Sequence, residues 1–489
     1  MQTVSCPNCG AQVSFRSAAS VMAVCEYCQS TLLKDADSVR NIGKVAEALE
    51  DYSPIQITTS GSYENRAFSV VGRIQLRYDA GYWNEWYVLF DDGSDGWLSD
   101  ASGQYVMTVP AQDPSPPAFD SLHPGQAHQH GGDTWFVSDI RTARCISWNG
   151  ELPFRVGRGW EAKVADLRCG HRFLTLDYSD GDVPAAYLGK AVTLEGLRCQ
   201  LLRDKDAIAQ SAGHFRGQTA ALDCPSCGSG IAYKAGMAFH VVCPACHAEV
   251  DCSTDKALVL KKAEELERVT TTLALGDKGR IDGQDYDLIG LLQCDSGEEG
   301  DPGWTEYLLH HPERGFLWLV ESDQGWDRVD VLNEWPAARG DSEVAVDGVT
   351  YRRGERYDSI VRYAAGAFNW RVSVDDRTHL REFTSGERKV TAESNPNEVV
   401  WTKSARIPAR QVGEWFKKKD LAATPEPAAS VPGPRLGFRP AFLFSLLLLL
   451  LNLPISIGSG SRGLRLILIA ALLLWIPVFV IRHFTKERE

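Results

Sequence analysis

What this chain of 489 residues lacks narrows its reading before anything in it does. It has no paired-histidine protease helix, no glycine-rich loop to cradle phosphate and no nucleophile elbow, so no catalytic constellation stands out. It reaches Cys6 without an apolar leader, which argues against export. It is short of positive charge, with 51 Lys and Arg against 64 Asp and Glu and a net charge of −13. The stretch from Arg435 onward carries +5, which leaves −18 on the rest. A body that acidic repels nucleic-acid phosphates unless a local basic patch overrides the field, and no such patch stands out before Lys417–Lys419. Nucleic acid is therefore not the expected partner.

Cysteine, by contrast, is patterned. Eight of the thirteen cysteines form four Cys-x-x-Cys pairs: Cys6/Cys9, Cys25/Cys28, Cys224/Cys227 and Cys243/Cys246. Fifteen residues separate the two pairs in each set. A Cys-x-x-Cys turn sets two thiolates on one side of a metal, and two such turns complete a tetrahedral tetrathiolate site suited to zinc. Four thiolates leave no open position for water or substrate, so the expectation is two structural zinc ions. Paired cysteines without an export signal also imply a reducing compartment.

The two cysteine sets belong to a repeat of roughly 218 residues, a self-similarity to settle before fold class. Landmarks recur in order. Phe68–Gly72 parallels Tyr286–Gly290, Glu85–Val88 parallels Glu306–Leu309, Trp97-Leu98 parallels Trp318-Leu319, and Leu152–Val156 parallels Phe368–Val372. Charged stretches at Lys44–Glu50 and Lys261–Glu267 read as short helices. Runs such as Ser69–Leu76 and Glu85–Phe90, bounded by Asp-Gly and Ser-Gly turns, read as strands. The expected fold is mainly β: two zinc-ribbon plus β-barrel or sandwich modules in tandem, followed by an α-helical transmembrane hairpin. The boundaries expected are ribbons at 1–34 and 222–252, β modules at 35–205 and 253–420, a proline-rich linker at 421–439 and the hairpin at 440–482.

Two uncharged apolar runs, Pro440–Ile457 and Leu466–Ile481, flank the turn-like Gly458-Ser459-Gly460-Ser461. They are at the short end of what spans a hydrocarbon core. Basic residues cluster outside the pair, at Lys417–Lys419, Arg435, Arg439, Arg482, Lys486 and Arg488, so both ends are expected in the cytoplasm and lipid is an expected partner. With no ionisable residue inside either run, an anchor is favoured over a pore.

Trp83, Trp86, Tyr87 and Trp97, with Tyr105, form either a ligand surface or a β-domain core. His123, His128, His130 and Asp133 read as a solvated loop, Cys169-Gly170-His171 as a structural cysteine with a neighbouring imidazole, and His310-His311-Pro312 as a turn.

The segment Trp83-Asn84-Glu85-Trp86-Tyr87, continuing to Gly96-Trp97-Leu98, resembles a bacterial domain-of-unknown-function family. The resemblance implies a zinc ribbon ahead of a β domain and a link to membrane-associated systems encoded near polyamine-synthesis-like genes; it implies no activity. The second copy departs from the pattern, with Trp304-Thr305-Glu306-Tyr307 in place of the core. Together these features point to a membrane-tethered, cytoplasm-facing scaffold or sensor that binds a protein partner or small ligand. An enzyme acting at the aromatic surface and a nucleic-acid-binding ribbon protein are the alternatives.

Overall fold

The long strands of each module bury side chains on both faces and pair on both sides, which lets the sheet curl and close on itself. The computed structural model describes residues 2–35, 38–44, 53–101, 103–113, 115–157, 159–204, 208, 222–231, 240–251, 258–261, 270–311, 314–340 and 342–422. The first module opens with a ribbon of β1 (Gln2–Ser5), β2 (Gln12–Phe15), β3 (Met22–Val24), β4 (Ser30–Asp35) and β5 (Ser38–Lys44). Next come β6 (Ser60–Tyr63), β7 (Arg66–Arg77), β8 (Tyr82–Phe90), β9 (Asp95–Ala101), β10 (Gln104–Ala111), β11 (Ala127–His130), β12 (Asp133–Leu152), β13 (Glu161–Cys169), β14 (Arg172–Asp177) and β15 (Ala185–Val192).

The order β7-β8-β9-β10-β15-β14-β13-β12 returns to β7, giving a closed antiparallel ring of eight strands. The alternatives of barrel and sandwich thus resolve to a barrel built from two four-stranded meanders. Inward side chains from five strands, among them Ile74, Leu76, Tyr87, Trp97, Ala143, Cys145 and Ala162, share one core. The outward face carries two further cores, around Trp86 and around Leu167.

The second module repeats the plan. Its ribbon is β16 (Leu222–Asp223), β17 (Gly230–Ile231), β18 (His240–Val242), β19 (Glu249–Asp251) and β20 (Leu258–Lys261). Its remaining strands are β21 (Lys278–Ile281), β22 (Gln284–Asp295), β23 (Trp304–His311), β24 (Gly315–Ser322), β25 (Gly325–Val331), β26 (Ala337–Ala338), β27 (Glu343–Val346), β28 (Val349–Phe368), β29 (Arg377–Ser385), β30 (Arg388–Ser394) and β31 (Val399–Ile407). Strands β22-β23-β24-β25-β31-β30-β29-β28 close the ring. Helices α1 (Ala409–Phe416) and α2 (Lys419–Ala422) follow, and Val412 and Phe416 pack on the second barrel's outer core.

Each ribbon is fused to its barrel by one long strand. The end of β12 leaves the ring and pairs with β3, as β28 pairs with β18. The departure is made at a glycine pair, Gly72 opposite Gly150 in the first module and Gly290 opposite Gly366 in the second. A β-carbon on Gly72 would sit 1.7 Å from the Glu151 carbonyl oxygen, and Gly150 has a φ of +69°, so neither place admits a side chain cheaply. Met22 and Val24 of the ribbon enter the first barrel's inner core, and Val242 does so in the second. The ribbon therefore stoppers one end of its barrel.

The modules also meet each other. Arg371 N–H donates to the Ala80 carbonyl at 2.6 Å, Ile140 N–H to Asn397 at 2.9 Å and Trp335 N–H to Gly170 at 2.8 Å. Arg141 pairs with Glu398 at 2.5 Å, and Phe136 stacks on Trp335 with ring centres 5.3 Å apart.

Several expectations change. The ribbon sheet runs to Lys44, so the boundary expected at 34 falls inside β4. Lys44 and Lys261, the first residues of the two stretches read as helical, end strands instead, and the rest of those stretches lies outside the described residues. The hairpin expected at 440–482 and most of the linker at 421–439 also lie outside them. Among the described residues, no helix is long and apolar enough to cross a membrane.

Candidate metal centres and barrel interiors

Each ribbon brings its four cysteines to one point. In both Cys6/Cys9/Cys25/Cys28 and Cys224/Cys227/Cys243/Cys246, all four sulfurs lie within 4.8 Å of one another. Each set could hold one metal ion. The turns that aim the sulfurs are alike. The residue after each second cysteine donates its N–H to the carbonyl of the first: Gly10 to Cys6, Gln29 to Cys25, Gly228 to Cys224 and His247 to Cys243, at 2.7 to 2.9 Å. All four adopt left-handed backbone, with φ of +79°, +60°, +75° and +56°. Glycine is expected there; Gln29 and His247 take the same conformation at a local cost that the surrounding turn offsets.

A buried carboxylate ties each ribbon to its barrel. Glu151, 4% exposed, accepts from Arg16 N–H at 2.7 Å, Ser17 N–H at 3.1 Å and the Ser20 hydroxyl at 3.0 Å. In the second module the acid is on the other partner: Glu249 of the ribbon accepts from the Ser373 hydroxyl of the barrel at 3.0 Å. His240 completes that joint through the Val372 carbonyl at 2.7 Å, and burial pushes its imidazole down to about 4.

The aromatic set is divided by strand alternation. Trp86 is 2% exposed on the outer face, with the Arg73 guanidinium 4.8 Å from its ring centre. Its neighbour Tyr87 points inward and packs against Trp97 at 5.1 Å. These rings fill cores on opposite faces of one sheet and line no common groove. Trp83 also faces inward, half-buried, and has a polar role.

That role belongs to a feature the sequence did not disclose. The Trp83 indole N–H donates to Glu85 at 2.7 Å, and the Ser99 hydroxyl reaches both carboxylate oxygens of Glu85 at 2.9 and 2.7 Å. Asp166 and Asp177, on β13 and β14, face the same interior and repel Glu85 electrostatically. Thr175 holds Asp166 at 2.6 Å, and Ser179 N–H holds Asp177 at 2.9 Å. Burial raises all three acids, Glu85 to about 7.

The second barrel repeats the tryptophan and the three acids at matching positions, with Val320 where the first has Ser99. Trp304 donates to Glu306 at 2.7 Å, as Trp83 does to Glu85. Glu382 faces Thr391 across the ladder, as Asp166 faces Thr175, and Glu393 faces Leu380, as Asp177 faces Val164. Tyr357 donates to Glu382 at 2.9 Å, and Thr402 to Glu393 at 2.8 Å. Burial raises Glu306, and raises Glu393 to about 7. Here Lys389, 3.4 Å from Glu382, and Arg406, 3.4 Å from Asp327, add positive charge.

The remaining candidates resolve simply. His128 and His130 belong to the β11–β12 hairpin and lean on Asp113 at 2.7 and 3.5 Å, so the stretch is an ordered hairpin and not a solvated loop. Asp133 starts β12 and pairs with Arg172 at 2.7 Å, and His123 remains in the preceding turn. Cys169 is half-buried with the Arg172 guanidinium 3.2 Å from its sulfur, and the imidazole of His171 turns to Glu334 at 3.1 Å. His310 and His311, read as a turn, are buried inside β23.

Residues 56–194 and 274–409 both match the model of Domain of unknown function (DUF4178), and each match frames one barrel and leaves its ribbon cysteines outside. No curated protein and no solved structure matches the chain. The two matches together span more than half of the chain, which thus belongs to the DUF4178 family.

Proposed function

We propose that this protein is a membrane-tethered sensor or scaffold facing the cytoplasm, in which zinc-braced barrels take a small cation into their acidic interiors. The observation that carries the ligand reading is the recurrence of three inward carboxylates at matching register in both barrels, Glu85/Asp166/Asp177 and Glu306/Glu382/Glu393. Burying three acids together is costly unless a proton or a cation offsets them. Indole and phenol rings beside them suit an ammonium-bearing ligand, which gains from both carboxylate and aromatic contact. The aromatic set that an enzyme reading would use is packed into cores, so that alternative gains no site there.

Zinc is supported by the sulfur spacing. A zinc–sulfur bond of about 2.3 Å gives a tetrahedral edge of about 3.8 Å. The closest sulfur pairs stand 3.6, 3.6, 3.7 and 3.9 Å apart. The tether rests on the two apolar runs after residue 439 and their basic flanks.

Calorimetry of the purified full chain with 1,4-diaminobutane, tetramethylammonium, Mg²⁺ and Ca²⁺ as probes tests the ligand reading. Saturable binding of an ammonium probe, weakened at least roughly tenfold by the pair Glu85→Gln and Glu306→Gln, is expected. Absence of saturable binding by every probe up to millimolar concentration refutes it.

A further inference from the structure

The two modules meet through unlike faces. The first contributes the outer edge of β12, Phe136–Arg141, and the β13–β14 turn at Gly170. The second contributes the β30–β31 turn, with Asn397 and Glu398, and the segment around Trp335. A contact between unlike faces of equivalent units leaves one face of each kind unused, and repeating it between molecules builds a chain or a ring.

The faces that this junction leaves out are identifiable among the described residues because the modules are copies. The first module's counterpart of the β30–β31 turn is the β14–β15 turn, residues 178–184. It carries Asp180 and Asp182, both exposed, and Val183, which at 84% exposure is the most exposed large apolar residue among those described. The second module's counterpart of the β12 edge is the outer face of β28 and β29. There Arg353, Arg356 and Arg381 are exposed on one side, while Arg352 beside them turns to the other. Arg356 stands directly opposite Arg381 across the ladder, where like charges oppose each other. Arg352 is shared with Glu343 at 3.3 Å, and Glu355 and Glu387 are the exposed acids nearby in sequence. A basic face this dense is out of character for a chain with a charge of −13.

The polarity of charge on these unused faces matches that of the junction already made. Inside the chain, an acid on the turn, Glu398, meets an arginine on the strand, Arg141, at 2.5 Å. Between chains, acids on the turn have the arginines of the matching strand segment, Arg353 and Arg356, to meet, although Arg141 itself has Tyr357 as its counterpart. We propose that molecules of this protein associate head to tail by extending this turn-on-strand arrangement, with the acidic turn 178–184 of one chain seated on the arginine face of β28 and β29 of the next.

Sedimentation of the full chain in nonionic detergent, across protein and salt concentrations, tests this. Wild-type protein forms concentration-dependent oligomers that dissociate as ionic strength rises from about 0.05 to 0.5 M. The variant Asp180→Arg/Asp182→Arg and the variant Arg353→Glu/Arg356→Glu each weaken self-association by roughly tenfold or more, and their 1:1 mixture regains it. All the altered side chains are exposed, and a circular-dichroism melt matching wild type confirms that each variant is folded. A wild type monomeric to about 100 µM overturns the proposal, as does a mixture no better associated than its parts. So does an arginine variant that keeps its oligomers and loses only attachment to anionic vesicles, which would assign the face to lipid.

Discussion

Replacing Glu151 with alanine should release the first ribbon from its barrel while leaving the second untouched. One oxygen of this carboxylate accepts three hydrogen bonds, from Arg16 N–H, Ser17 N–H and the Ser20 hydroxyl. A hydrogen bond to a charged acceptor contributes roughly 1.5–3 kcal/mol, and a buried donor left without a partner costs about 1–3 kcal/mol. Ser17 and Ser20 are both buried, so water reaches them poorly. The Arg16 guanidinium stands 4.0 Å from the carboxylate and is partly exposed, so the ion pair adds little. The contributions overlap, and a net loss of about 3 kcal/mol is expected, the lower end for breaking a buried charged network. That corresponds to roughly a 100-fold rise in local opening. Hydrogen exchange read by mass spectrometry on peptides covering residues 11–24 should show this loss of protection. Peptides covering 240–251 should not change, because Glu249 ties the second ribbon from the opposite side. Glu151→Gln keeps an acceptor and should fall between. A fall of less than about fivefold in Glu151→Ala would refute the claim that this carboxylate fastens the ribbon.

Three other outcomes follow from the same geometry. Cys25→Ser should lower bound zinc from two ions per chain to one, measured by plasma mass spectrometry, and strip exchange protection from β3 and β4 while the second ribbon keeps its metal. The stabilisation contributed by the buried acids should fall as pH rises from about 4.5 to about 7 and then level off, while His240, pushed down to about 4, acts in the opposite direction in the second module. Burial raises Glu85 and Glu393 from 4.5 to about 7, so the native chain holds protons there that the unfolded chain has released; urea midpoints of wild type compared with Glu85→Gln and Glu393→Gln across that range should show each acid's share falling by up to about 3 kcal/mol. Trp335→Ala should cost about 3 kcal/mol and uncouple the modules, splitting one calorimetric transition into two, because this ring stacks on Phe136 across the junction and packs edge-on against Trp401 behind it.

The parts legible in the sequence were those with local spacing. Four Cys-x-x-Cys pairs at a fixed interval announce two knuckle sets that could each hold a metal ion, and the constant offset between them announces a duplication. Strand runs could be read, but not the ring, because closure depends on β12 finding β7 across some 70 residues of chain. Trp86 and Tyr87 looked like one aromatic surface because they are adjacent, yet adjacent residues on a strand point to opposite faces. The inward carboxylates were invisible for the complementary reason. Glu85 and Asp177 lie on strands far apart in sequence, and each alone resembles an ordinary polar position of an alternating strand. His310 and His311 read as a turn because of the Pro312 that follows them in sequence, yet both are the closing residues of β23. The arginine face was missed because Arg356 and Arg381 become neighbours only through the β28–β29 ladder.

Comparing what the duplicated modules kept with what they changed separates framework from function. The ribbon–barrel joint is chemically free to vary: Glu151 on the barrel fastens the first, and Glu249 on the ribbon fastens the second. The contact faces have diverged further, since Phe136 in the first module has an arginine, Arg352, as its counterpart in the second. The barrel interior has not been free in this way. The Trp-to-Glu hydrogen bond recurs at 2.7 Å in both copies, and the two facing acids recur in register, with Asp exchanged for Glu but the carboxyl group retained. An apolar residue at any of these positions would remove a desolvation cost and stabilise the barrel. Stability alone therefore gives no reason to keep six acids in two interiors, and the cation proposed above would give one.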